Sequence, residues 1–289
     1  PGKERELGIP GRSDTRKRVE GFVTKQEAGT EGGYEHLREN VSKQYAGREP
    51  RFYASVAFNG SVWSLLKNEL NTDHIKDINV PVFYYRGKND GFVSTGAWLR
   101  TGIGIKKFVH PDDTNYGSNI LTKAEPAIRY AEILLIYAEA VNELNDTYNI
   151  PSWDGSTTYA LIRNEDELKK GIQPIRIRAG LHDYTDAVYS EPALFRDKLK
   201  RERQIELFAE GHRYFDLRRW LDAEVEESTI VYGYNTQCTE KMRDLFYVPV
   251  AIQSFPCAFS QKMWFWPIHH DELRRNKRLT QNPGWTYPQ

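Results

Sequence analysis

The spacing of apolar and polar positions predicts a long amphipathic helix in the middle of the chain. Apolar residues recur every three or four positions and would form one face of that helix: Ile128, Ala131, Leu135 and Ala138. Pro126 suits the first helical position, where the N–H that proline lacks would be unsatisfied in any case. We expect this helix to end near Asn145.

Further helical patterns follow in the second half of the chain. A charged helical segment ends at Gly180, which fits the left-handed position after a helix C-terminus. The next helix is expected to run from a cap at Ser190 to Glu210, and a shorter one to cover residues 212–221. Between the first two helices, residues 146–160 are rich in turn-forming residues and predict a loop.

The first half of the chain has little helical periodicity. Two aromatic, β-prone runs, residues 52–58 and 80–85, are each followed by a turn signal and predict short strands. Residues 1–50 are poor in apolar periodicity and predict an irregular, exposed N-terminal segment. The fold class is therefore mainly α, with long irregular loops and a few short β-strands.

Composition excludes several classes of protein. The 289 residues include 40 Lys and Arg against 40 Asp and Glu, so the net charge is zero. Proteins that mainly coat nucleic acid or anionic membranes carry a basic excess, which this chain lacks. Its 7 Trp, 17 Tyr and 13 Phe are too many for a disordered polymer. The two cysteines, Cys238 and Cys257, fit either a single bridge or two buried thiols.

A charged block near residue 206 is the clearest candidate for chemistry. Glu202, Glu206 and Glu210 follow one another at intervals of four, and such a row destabilises a helix unless cations lie opposite. The available partners are Arg203, Arg213, Arg218 and Arg219. A carboxylate pair for acid–base catalysis is one interpretation. The commoner one is an Arg/Glu lattice that locks two helices together.

Residues 201–220, which contain this block, are similar to the late helical signature of the SusD/RagB family of outer-membrane nutrient-binding lipoproteins from Bacteroidetes. Four other stretches resemble the family's strand start, central helix, next helix end and C-terminal tail: 48–53, 128–140, 175–181 and 279–285. The matches come in the family's order. Pro174 departs from the pattern, because the family usually continues a helix there.

The resemblance implies a SusD-like fold with tetratricopeptide-like helix pairs. Family members carry an N-terminal lipoprotein signal and an N-terminal half rich in such pairs. Neither is present in this sequence, so we expect residues 51–289 to form the C-terminal portion, preceded by the irregular segment 1–50. The family also implies localisation at the outer membrane, on the cell surface, through a lipid anchor absent from this chain.

The function that the resemblance implies is non-catalytic binding of oligosaccharide for delivery to a SusC-like TonB-dependent transporter. RagB-like peptide binding is an alternative in the same role. A glycoside hydrolase with paired carboxylates and a pure helix-repeat scaffold remain as further hypotheses. No cofactor is expected. Acidic turns at Asn89-Asp90 and Asp112-Asp113 offer oxygen ligands suited to structural calcium, although exposed acidic turns are commoner.

Glycan binding requires flat aromatic rings for sugar C–H faces and polar groups for the hydroxyls. Trp220 and Trp285 lie in the family motifs and are expected to pack, as are Trp264 and Trp266. The expected ligand-binding residues precede the central helix: Trp63, Tyr84, Tyr85 and Trp98, with Asn59 and Asn89 as polar companions. Trp153 is a further, weaker candidate for ligand binding. The alternative for each of these aromatic residues is that it merely seals a loop.

Overall fold

A computed structural model of the protein describes residues 21–62, 81–88, 90–92, 96, 98–110, 113, 121–124, 126–253 and 258–286. The helices in these residues are α1 (Pro50–Ser55), α2 (Tyr130–Asn142), α3 (Glu165–Arg178), α4 (Asp186–Ser190), α5 (Pro192–Glu206), α6 (His212–Arg219), α7 (Ala223–Glu226), α8 (Arg243–Phe246) and α9 (His270–Arg275). Short 3-10 helices cover Lys43–Tyr45, Glu240–Met242 and Gln261–Trp264. The fold class is mainly α, as the sequence predicts.

The strands form three antiparallel pairs within the described residues. They are β1 (Val56–Ala57) with β2 (Gly104–Ile105), β3 (Tyr148–Pro151) with β4 (Thr158–Leu161), and β5 (Tyr232–Gly233) with β6 (Val250–Ala251). The predicted strand over residues 52–58 is confirmed only at Val56–Ala57, which form β1. Residues 52–55 belong to α1 instead, because Pro50 opens a helical turn that carries Phe52 into the core.

Helices α2, α3 and α5 pack around one hydrophobic cluster, the helical core. Its buried residues are Ala131, Leu135, Ala138, Val141, Leu168, Ile172, Ile175, Val188, Tyr189, Phe195, Leu199 and Leu207. The predicted apolar face of α2 is therefore confirmed, except at Ile128, which is exposed. Helix α2 begins at Tyr130 instead of Pro126, because Arg129 has extended backbone angles, φ −110° and ψ 149°.

A second cluster, the aromatic core, includes residues from the N-terminal segment. Its buried residues are Val23, Leu37, Val41, Tyr45, Ala46, Phe52, Val56, Phe58, Val82, Tyr84, Tyr85, Cys238, Phe246 and Tyr247. Residues 21–49 are largely irregular, as expected, but they are not simply exposed. Val23 and Val41 are joined by a 2.9 Å backbone hydrogen bond and are both buried.

The ends of α3 and α5 depart from expectation only locally. Helix α3 is continuous through Pro174, and Gly180 follows it with φ +73°, the left-handed conformation that glycine adopts without strain. Helix α5 is capped by Glu191 and not by Ser190, since the Glu191 side chain accepts from the backbone N–H of Ala193. It ends at Glu206, four residues earlier than predicted.

Residues 146–160, expected to be a loop, contain most of a β-hairpin. Tyr148 is paired with Leu161, and Pro151 with Thr158, in antiparallel register. Turn-forming residues led to the loop prediction, but in the structure they are concentrated at the hairpin tip, residues 152–157. Leu161 packs against the helical core, and the other strand residues are exposed.

Two further sequence-level features have outcomes in the structure. Cys238 is a buried free cysteine, which fits the thiol interpretation, and Cys257 lies outside the described residues. In the part of the chain that the structure describes, no helix has the length and apolar character needed to cross a membrane.

Gly171 lies at a close approach of α3 to α2. A Cβ atom at this position would lie 2.5 Å from the Leu134 carbonyl oxygen and 2.6 Å from Ala138 Cβ. We expect Gly171→Ala to lower the free energy of unfolding by about 1–3 kcal/mol in urea denaturation, because the backbones must separate. If helix propensity decided the outcome, the variant would instead gain about 0.5–1 kcal/mol. Exposed Lys170→Ala is the control, with a change within about 0.5 kcal/mol.

Candidate functional site

Three of the six predicted ligand-binding residues lie in the aromatic core. Asn59, Tyr84 and Tyr85 are 1%, 5% and 2% exposed. Asn59 joins two segments there: its Oδ1 accepts from the Tyr84 backbone N–H at 2.8 Å, and its Nδ2 donates to the Tyr247 hydroxyl at 2.9 Å. The Tyr85 ring packs edge-on against Phe246. Their expected position on an exposed platform is corrected, because these side chains are enclosed by the fold.

The other predicted ligand-binding residues have different outcomes. Trp98 is half-buried. The Phe92 ring packs edge-on against it, with 4.6 Å between the two ring centroids. The Arg100 guanidinium lies 5.1 Å from the centroid of the Trp98 ring. Trp63 and Asn89 lie outside the described residues. A platform built from Trp98, Trp63 and Asn89 therefore stays a prediction.

The remaining tryptophans divide into packed and exposed residues. The Trp220 indole N–H donates to Glu139 at 2.8 Å, and that of Trp285 to the Lys262 carbonyl at 2.9 Å, so both have structural partners. Trp266, expected in the core, is 69% exposed because it lies in an irregular C-terminal segment. Trp153 is 98% exposed at the tip of the β3–β4 hairpin.

An ion cluster centred on Glu206, at the end of α5, joins three other parts of the chain. Arg51 from α1 donates to its carboxylate at 3.1 Å, and Arg129, just before α2, at 3.0 Å. Arg178, the last residue of α3, donates to it at 2.5 Å. We call this set the Glu206 cluster. The carboxylate is nearly fully buried, so its charge is neutralised by the arginines and not by water.

The Glu206 cluster extends to Glu210 and borders a cavity of about 270 Å³. Arg129 donates to both oxygens of Glu210, at 2.7 and 2.8 Å, and Lys107 also binds this carboxylate. The Lys107 amine donates in addition to the Glu206 backbone carbonyl at 2.8 Å. The open C-terminal turn of α5 is thereby capped by cations, which complement the negative end of the helix dipole.

Glu202, one turn before Glu206, is paired in the same way. Arg176 donates to it at 2.9 Å, and an Arg51 nitrogen lies 2.7 Å from its other oxygen. Arg51 also forms a two-point contact with Glu49, at 2.9 and 3.1 Å. All three glutamates of the sequence block are thus bound by cations within the structure.

The electrostatics of these carboxylates suit a structural lattice. Burial alone would raise the pKa of Glu206, but hydrogen bonds from Arg178, Arg129 and Arg51 outweigh it and hold the pKa below its usual value. The pKa of Glu210 is lowered in the same way, burial being outweighed by Arg129 and Lys107. A general acid for glycoside cleavage needs a raised pKa, which is the opposite shift.

The sequence identified the glutamates of the lattice but not their partners. Arg203 instead binds Asp216 through both carboxylate oxygens, at 2.9 and 2.8 Å. Arg213 pairs with Glu226, and Arg218 pairs with Glu227. Arg219 pairs with both Asp216 and Glu139. Two of the actual partners of Glu206, Arg51 and Arg129, are 155 and 77 residues from it. Local spacing contains no signal for such distant pairs.

The acidic turns considered for calcium give no metal centre in the described residues. No group of three or more His, Cys, Asp or Glu side chains in that part of the chain is arranged to hold a metal ion. Asp113 binds Lys123 at 2.6 Å and the Leu121 backbone N–H at 3.0 Å. Asn89 and Asp112 lie outside the described residues.

Comparison with known proteins establishes the family. The model of the SusD family matches residues 8–285. The chain belongs to the SusD family. The match extends from the N-terminal segment to the C-terminal tail, so the residues of the Glu206 cluster all lie within it. A search of curated proteins finds no match.

Solved structures show the same SusD-like fold. BT4246 is 24% identical with a TM-score of 0.66, and the match covers 86% of this chain and 38% of that one. A SusD-like protein from Bacteroides fragilis NCTC 9343 is 23% identical, with a TM-score of 0.59 and coverage of 93% and 45%. A SusD-like carbohydrate binding protein from the same strain is 22% identical, with a TM-score of 0.56 and coverage of 90% and 46%. The chain therefore spans less than half the length of each.

The structural role of the Glu206 cluster in this SusD-family chain can be measured. We expect Glu206→Gln to lower the free energy of unfolding by about 3 kcal/mol at pH 7, because the partly buried Arg51 and Arg129 lose their counter-charge. The folded-state pKa of Glu206 is lowered, so its stabilisation is complete above the unfolded value of about 4.3 and declines as pH falls through the folded pKa. The difference between the proteins should therefore shrink at pH 3.

Urea denaturation at pH 7 and pH 3 measures both effects. Glu165→Gln is the matched control, because Glu165 pairs with Lys169 on an exposed helix surface. Its effect should stay below about 1 kcal/mol. A Glu206→Gln variant as stable as the control at pH 7 would contradict the structural role of the cluster.

Proposed function

We propose that the protein binds oligosaccharide at the cell surface without cleaving it and delivers it to a SusC-like TonB-dependent transporter. The observation that carries this proposal is the SusD-family match over residues 8–285. One solved structure with the same fold is described as a carbohydrate binding protein. Attachment to the outer membrane through a lipid anchor is part of the same proposal.

The ligand site that we propose here retains Trp98, with Trp63 and Asn89 as expected companions. Asn59 and Tyr84 support it indirectly, because their buried hydrogen bond fixes the chain shortly before the Trp98 segment. The Trp98 ring is held from the side by Phe92, which fixes its orientation. A ring ordered before binding loses less conformational entropy when a sugar stacks on it.

The ionic contacts favour binding over hydrolysis. Glycoside cleavage requires one carboxyl group that stays protonated near neutral pH and a second carboxylate across the scissile bond. Glu202, Glu206 and Glu210 are each ion-paired instead with arginine or lysine side chains that donate hydrogen bonds to their carboxylates. The contacts of these carboxylates therefore support a structural role for them.

The test uses the full-length protein in affinity gel electrophoresis against amylopectin, dextran, xylan, inulin and polygalacturonate. We expect retardation by at least one polysaccharide and no release of reducing sugar from it. Trp98→Ala should weaken retention by about tenfold, since aromatic contacts dominate such sites. Trp266→Ala is the control, an exposed tryptophan outside the proposed site.

Three results would contradict the proposal or one of its parts. Retardation by no polysaccharide, with tight binding of an extended peptide in calorimetry, would support peptide capture. Release of sugar products would support hydrolysis. The transporter step is tested by a pull-down of the anchored protein from an outer-membrane extract of a strain that carries it. Recovery of the protein without any TonB-dependent transporter would contradict delivery to such a transporter.

A further inference from the structure

The β3–β4 hairpin presents an aromatic residue that the fold does not use. Trp153 is at its tip and is 98% exposed. An indole ring buries a large apolar area when it packs, and in this position it contributes none of that area to the core. Its presence on an ordered hairpin therefore requires an explanation other than packing.

The order of the hairpin tip comes from Asp154 and the serines around it. Asp154 Oδ1 accepts from the Ser152 hydroxyl at 2.6 Å, the Ser156 N–H at 3.0 Å and the Ser156 hydroxyl at 2.8 Å. The Ser152 backbone N–H donates to the Thr157 carbonyl at 2.7 Å, which closes the loop. Gly155, with φ +69°, makes the tight turn that a residue with a side chain would resist.

The tip is therefore built without the Trp153 side chain. The hydrogen bonds that hold it involve backbone atoms, Ser152, Asp154 and Ser156, and none involves the indole. Replacement of Trp153 should leave the fold and the loop intact. The residue is thus free to serve binding alone, and its effect on binding can be separated from its effect on stability.

We propose that the hairpin tip is a binding site for a neutral saccharide, with a sugar ring stacked on Trp153 and its hydroxyls bonded to Asp154 and the tip serines. This inference rests on the proposed function and adds to it a second contact, separate from Trp98. The sugar's C–H face matches the indole, and its hydroxyls match acceptors beside the ring.

Asp154 provides the acceptor that a sugar needs. Its Oδ1 takes the three hydrogen bonds of the loop, whereas its Oδ2 takes none from the described part of the chain. Hydrogen bonds from Ser152 and from the Ser156 N–H and hydroxyl lower the pKa of Asp154 to about 2. The group is thus a charged acceptor at physiological pH and accepts strongly from hydroxyl donors.

This charge selects between classes of ligand. A fixed carboxylate beside the stacking ring repels the carboxylates of uronic acids and the sulfates of sulfated glycans. It also disfavours an anionic lipid surface, which attracts basic and not acidic segments. The cores of protein–protein interfaces are depleted in charged residues, so a bare aspartate beside the ring argues against a protein partner as well. A neutral saccharide fits all three constraints.

The strands of the hairpin carry a further exposed aromatic residue. Tyr159 is 60% exposed. It lies opposite Ile150, and directly opposed residues of antiparallel strands share a face.

The experiment compares full-length wild type with Trp153→Ala and Trp153→Phe. Affinity gels use amylopectin, dextran, xylan and inulin as neutral probes, with polygalacturonate and chondroitin sulfate as acidic ones. Calorimetry then uses oligosaccharides of the probe that retards the wild type. Trp153→Ala should weaken binding about tenfold, and Trp153→Phe less, because the phenyl ring keeps part of the stacking surface. Both should melt at the wild-type temperature.

Trp266→Ala is the matched control and should bind as the wild type does, since Trp266 is an exposed tryptophan on another segment. Equal affinity of Trp153→Ala and wild type would overturn the inference while leaving the proposed function intact. Retention of no probe by the wild type would overturn both. Preference for polygalacturonate or chondroitin sulfate would overturn the assignment to neutral saccharide. Loss of transporter recovery by Trp153→Ala, with glycan affinity unchanged, would assign the tip to protein contact instead.

Discussion

The arrangement of the helices depends on the hydrogen bonds that the buried Glu206 carboxylate accepts. This carboxylate lies at the end of α5 and accepts from Arg51, Arg129 and Arg178, which come from three other parts of the chain. Apolar contacts in the two cores drive compaction but are not directional. Charge-assisted hydrogen bonds to one buried carboxylate are directional, so they define where the ends of α1, α2 and α3 lie relative to α5.

In this arrangement, most charged residues of the family motif have a structural role. The carboxylates that resemble a catalytic row are each engaged by cations, and the arginines expected beside them form separate pairs with Asp216, Glu226 and Glu227. The proposed binding residues lie on segments that the lattice does not hold. The Trp98 segment and the β3–β4 hairpin are two such places, and each presents an aromatic ring outside the buried clusters.

Local sequence patterns were sufficient for the helices and insufficient for tertiary contacts. The apolar stripe of α2 and the glycine after α3 were predicted correctly, because both follow from spacing within a few residues. Asn59 and Tyr85 were misplaced on the surface, since they contact Tyr247 and Phe246, more than 150 positions later in the chain. The hairpin was missed because turn residues dominate the composition of its tip. Contacts between residues that are far apart in the chain produce no periodic pattern in the sequence.

The separation between lattice and exposed rings has a consequence for how the protein can change. A substitution in the Glu206 cluster alters buried charge and changes the contacts of four segments at once. A substitution at Trp153 alters a side chain that the loop's hydrogen bonds do not involve. If the hairpin binds a ligand as proposed, its specificity can be varied there with little effect on stability, whereas replacements in the Glu206 cluster disturb several segments. The residues that most resemble a catalytic motif are therefore the ones least able to diverge with the ligand.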